Sequence, residues 1–87
     1  MLLVDSKHVK LPKIYQKLLN VSPALNGSIV FLGIAGFRQD CLSHIGADGQ
    51  LLGEIIFQEN MDSFGMLNDR EVMVLETRRN VIMVWNL

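Results

Sequence analysis

The residues with the types and spacing to do chemistry lie mostly at the front of the chain. Lys7, His8, Lys10, Lys13 and Lys17, with Arg38 farther on, put positive charge along one stretch. The four lysines form a stripe along an expected entry strand and the helix after it. Such a stripe neutralises phosphates and positions a nucleic-acid backbone without reading its sequence. No cluster of Arg, Asn or Gln stands beside it to read base edges, so any DNA binding expected here is weak and mainly phosphate-directed. A charge run of this length serves equally well as a solvated face. Arg78 and Arg79 sit at an expected hairpin tip, where the acidic neighbours Glu71 and Glu76 favour ordinary loop chemistry.

Catalytic patterns are thin. Cys41-x-x-His44 has the residue types of a thiol nucleophile or a metal pair, but no second Cys pair and no H-x-x-x-H accompanies it. A lone Cys is most often a small core residue. Gly33-x-x-Gly36 follows a strand but lacks the rest of a phosphate loop and its helix. The carboxylates of the second half are scattered and suggest no acid–base pair. The expectation is a protein that is not an enzyme and needs no cofactor or metal. Met61, Met66, Met73, Met83 and Phe64 supply soft apolar surface suited to a protein interface, although Met73 and Met83 read better as core.

The positioning elements must come from one small domain, residues 1–87, with 49% hydrophobic and 20% charged residues. That composition excludes a disordered chain. Residues 1–43 hold five basic and two acidic side chains, whereas residues 44–87 hold three and seven, giving net +3 and −4 within an overall −1. A basic face and an acidic face would let copies meet head to tail. A single Cys excludes an internal disulfide and suits a reducing cytoplasm. The first residues show no secretory leader, and no apolar run approaches the ~18 residues of a membrane span.

Val4 to Leu11 reads as a strand. Pro12 to Leu19 reads as a helix, with Ile14, Tyr15, Leu18 and Leu19 on one face. Asn26-Gly27 turns the chain into the strand Ser28–Leu32, and Phe37–Leu42 returns. After the Gly46–Gly49 loop come a strand at Gln50–Leu52 and a short helix over about Ile56–Met61. The segment Val72–Leu87 has two apolar β-branched runs around Arg78-Arg79-Asn80, the pattern of a hairpin with a three-residue loop. Both runs are apolar enough to predict burial on two faces, with Trp85 largely buried. A shift of 43 residues superposes the order of elements, placing Val21 on Phe64, Ile29–Leu32 on Val72–Leu75 and Leu42 on Trp85. The expectation is two repeats, 1–43 and 44–87.

The segment Val4-Asp-Ser-Lys-His-Val-Lys-Leu-Pro-Lys-Ile-Tyr-Gln-Lys-Leu-Leu19 resembles the opening of the AbrB/MraZ swapped-hairpin proteins. Glu71 to Asn86, closing on Trp85-Asn86, is similar to the end of the second MraZ repeat, and Asp48-Gly-Gln-Leu-Leu52 stands at its entry strand. The resemblance implies an α+β, β-dominated fold, two β-α-β-β repeats closed into a swapped-hairpin-like β-barrel. It also implies a cytoplasmic, homo-oligomeric, DNA-associated transcription regulator. The family's Asp-x-x-x-Arg motif is broken at Val9 and Leu52, so the arginines that meet DNA are missing. The alternative is a relative of the same fold that acts through protein contacts or self-assembly.

Overall fold

The computed structural model describes residues 8–36, 39–58, 61, 63–76 and 78–87. Seven strands follow in chain order: β1 (Lys17–Pro23), β2 (Ile29–Ala35), β3 (Gln39–Ile45), β4 (Leu51–Ile56), β5 (Ser63–Met66), β6 (Glu71–Glu76) and β7 (Val81–Asn86). They form two antiparallel meanders, a first sheet ordered β1-β2-β3-β4 and a second ordered β5-β6-β7. A 3-10 turn, Leu25–Gly27, joins β1 to β2. Asn26 (φ 58°) and Gly27 (φ 73°) turn it through the left-handed region, a conformation these two residue types tolerate.

The α+β expectation of β-α-β-β repeats closed into a swapped-hairpin-like barrel is therefore overturned. The chain is nearly all β, in two open sheets. The expected Pro12–Leu19 helix is absent: residues 8–16 run without regular structure, and β1 begins at Lys17. A bulge between Leu18 and Asn20 places two apolar residues in succession on this edge strand, which mimics helical spacing. The helix expected at Ile56–Met61 is absent too among the described residues, 56–58 and 61. Ile56 ends β4, and Phe57 and Met61 fix the crossing to the second sheet. The Asp40 carboxylate accepts a 2.6 Å bond from the Met61 N–H, and the Asp40 carbonyl accepts one from the Phe57 N–H. Of the expected first strand, Val4–Lys7 lies outside the described residues and 8–11 is not strand.

The core lies between the sheets. Val30, Leu32 and Leu42 of the first sheet meet Phe64, Val72 and Val74 of the second, with Phe57 and Met61 between them. β2 and β3 are covered on both faces, because Phe31, Cys41, Ser43 and Ile45 are buried as well. Tyr15 lies over that second face, edge-on to Phe31 at 5.1 Å between ring centroids.

The C-terminal hairpin forms as expected, pairing Glu71↔Asn86 through Glu76↔Val81, with Asn80 at φ 59°. Its loop is longer than the three residues expected, since 77–80 separates the closing pair. Its burial differs also. β7 is the edge of its sheet, and Trp85 is 38% exposed rather than buried. Trp85 packs edge-on to Phe57 at 6.5 Å. Met83 packs on the core, whereas Met73 does not belong to it.

The pairs Asn20↔Leu32, Val21↔Phe31, Ser22↔Val30 and Pro23↔Ile29 become Ser63↔Leu75, Phe64↔Val74, Gly65↔Met73 and Met66↔Val72 when 43 is added to each number. The next strand is displaced by 40 instead, so Ile29↔Ile45 corresponds to Val72↔Trp85, and Leu32↔Leu42 to Leu75↔Ile82. Leu42 thus matches Ile82, not Trp85. The cause is the first hairpin, which runs two pairs longer, to Ala35↔Gln39.

Candidate functional site

His8, Lys10 and Lys17 are exposed, but the helix that would align them is missing. Lys13 turns inward: its Nζ lies 2.7 Å from Glu54 Oε2 on β4 and 5.7 Å from the centre of the Tyr15 ring. Its hydrogen bond to Glu54 raises the ammonium pKa, which holds the charge on but commits it to the protein. Lys7 and Arg38 lie outside the described residues. At the second hairpin, Arg79 makes two parallel bonds to the Glu76 carboxylate, Nε to Oε1 at 2.7 Å and Nη2 to Oε2 at 2.5 Å. Glu76 is fully buried, so this fork binds a charge that cannot reach solvent.

Cys41 and His44 are separated by the strand itself. Side chains of a strand alternate in direction, so residues three apart point to opposite faces. Cys41 faces the Tyr15 side, where its Sγ lies 3.4 Å from Ser43 Oγ, which is hydrogen-bonded to the Tyr15 hydroxyl at 3.1 Å. Burial pushes the Cys41 thiol pKa up, which keeps it protonated and a poor nucleophile. His44 faces the other way, and its Nε2 lies 2.8 Å from Ser28 Oγ. The Ser28 hydroxyl donates to the Leu25 carbonyl at 2.5 Å, so the ring must donate to Ser28 from Nε2–H. This is the reverse of a nucleophile–base pair, in which serine gives its proton to histidine. Burial lowers the His44 pKa and favours the neutral ring. Among the described residues, no three His, Cys, Asp or Glu side chains come close enough to hold a metal.

Two apolar surfaces remain. One is a groove of about 360 Å³ between the irregular N-terminal stretch and the first sheet, lined by Val9, Leu11, Leu18, Val21, Phe31 and Ile45. Asn20 is its polar lining residue. The other was not singled out from sequence and is the outer face of the second sheet. Val72 and Val74 point into the core, so alternation sends Met73 and Leu75 outward. Their cross-strand partners Val84 and Ile82 join them. Leu75, Ile82 and Val84 are 43%, 65% and 51% exposed, and the counterparts Leu32 and Leu42 in the first sheet are 0% and 3%. The signal was present in sequence, since two apolar runs flank one turn, but it pointed to burial.

No helix among the described residues is long and apolar enough to cross a membrane. No family model, curated protein or solved structure matches this chain.

Proposed function

We propose that this chain is a protein-interaction and self-assembly module. The observation that carries the reading is the outer face of the second sheet, where Leu75, Ile82 and Val84 stand exposed side by side on paired strands. A contiguous exposed apolar patch marks an interaction surface more often than a solvated one. The competing reading, a DNA-associated regulator of AbrB/MraZ type, has less support: Lys13 is paired with Glu54, and the helix that would align Lys10 and Lys17 is absent.

A titration against random duplex DNA at two salt concentrations tests this choice. The module reading expects no saturable binding at physiological salt. Binding whose log affinity falls with log salt at a slope of about −3 to −4, and which a Lys10→Glu, Lys17→Glu variant abolishes, would instead make DNA the partner.

A further inference from the structure

We infer that the outer face of the second sheet is a dimer interface, on which Met73, Leu75, Ile82 and Val84 pack against the same four residues of a second copy. This inference rests on the interaction-module reading and names its surface and partner.

Three observations commit the face to a second copy. The chain itself shows how a face of this kind is covered. Val30, Leu32 and Leu42, which hold the positions of Met73, Leu75 and Ile82, are covered by another three-stranded antiparallel sheet. A second copy supplies such a sheet in its own outer face. The face is also self-complementary in chemistry and relief. Gly65 and Ser63 on β5 pair with Met73 and Leu75, so small residues flank the large ones and nothing ionised intervenes. Two such faces pack about 10 Å apart with their side chains interdigitated.

Charge then selects the orientation. β6 runs from the Asp69-Arg70-Glu71 end, net negative, to the Arg78 end, and Glu71 alternates onto the outer face at the edge of the patch. A two-fold axis in the plane of the interface and perpendicular to the strands sets β6 antiparallel to its mate. Each acidic end then meets the Arg78 end of the other copy. An axis parallel to the strands would bring like charges together. Opposite charges at an interface rim fix register more than they add affinity.

The face is small. Exposed Leu67, just past β5, extends it, and association is expected at micromolar chain concentrations. Sedimentation equilibrium of the full chain, from low to high micromolar concentration, tests this. The expected result is a mass rising from one chain towards two. Ile82→Lys, at a position exposed enough to leave the fold intact, weakens association by more than about tenfold. Arg78→Glu weakens it less, and Arg78→Glu with Asp69→Arg restores it. An unchanged near-ultraviolet circular dichroism spectrum shows that each variant is folded.

A wild type that stays monomeric throughout overturns the dimer and leaves the module reading to a different protein partner. A dimer indifferent to Ile82→Lys but broken by a proline at Val84 overturns it in favour of pairing along the β7 edge. Salt-steep DNA binding overturns the underlying reading itself.

Discussion

The β1–β3 and β5–β7 meanders share their strand order and much of their pairing, yet they turn opposite faces to the common core. In the first, Val30 and Leu32 point to the core while Ile29 and Phe31 point to the N-terminal stretch. In the second, Val72 and Val74 point inward, and these hold the positions of Ile29 and Phe31. The first sheet therefore has a cover on each side, and the second has one. The difference teaches that an apolar run specifies a strand and its alternation, while the remaining chain decides how many of its faces are dry. Here residues 8–16 cover the outer face of the first meander, and no described segment does the same for the second.

The largest effect should come from truncating matched leucines. Leu32→Ala is expected to cost about 2–5 kcal/mol, enough to threaten a domain of this size, and Leu75→Ala less than about 1 kcal/mol. Urea melts at low protein concentration measure both, and equal losses would break the comparison. Next come the arginines of the second hairpin. Arg79→Ala removes the fork on buried Glu76 and should cost about 2 kcal/mol, against less than about 0.5 kcal/mol for Arg78→Ala.

The glycines give a smaller contrast. At Gly33 a Cβ would lie 3.0 Å from Tyr15 Cδ1 and 3.2 Å from the Lys17 carbonyl, whereas at Gly65 it meets nothing within 4 Å. Gly33→Ala should therefore cost about 1–2 kcal/mol by forcing Tyr15 and the edge strand aside. Gly65→Ala should be near neutral in the same melts. The smallest effect concerns His44, whose counterpart is Val84. Its pKa in the folded state lies below the ordinary 6.5, so the unfolded chain takes up the proton first as pH falls. Stability is full above that value and declines through the histidine range below it. His44→Val should flatten the decline, and an unchanged pH slope would remove His44 as its cause.

Much of the strand pattern was legible in the sequence. The Asn26-Gly27 turn, the strand after it, the return strand and the C-terminal hairpin rest on turn chemistry and β-branched runs, which act locally. The α+β class was misread for two physical reasons. The adjacent Leu18 and Leu19 are accommodated in a strand by a bulge, and an exposed edge strand shows no alternation to contradict a helix. Phe57 and Met61 have helical spacing because both fill the gap between the sheets, where Asp40 holds their backbone N–H groups. The candidate site was harder still. The lysine stripe depended on that absent helix, and the bond from Lys13 to Glu54 joins residues far apart in sequence. The exposed face of the second sheet depends on what fails to cover it, which local pattern cannot report.

Every strand in both sheets pairs only with its neighbours in sequence. Folding speed depends on how far apart along the chain the contacting residues lie, because closing long loops early is entropically slow. Here each pairing closes a short loop, so the first sheet can zip strand by strand without waiting for β5–β7. On a ribosome the β1–β4 meander would then be hydrogen-bonded before the second sheet emerges, holding Val30, Leu32 and Leu42 wet until it arrives. That interval is when this chain is most exposed to aggregation, and shortening the 57–62 crossing would shorten it.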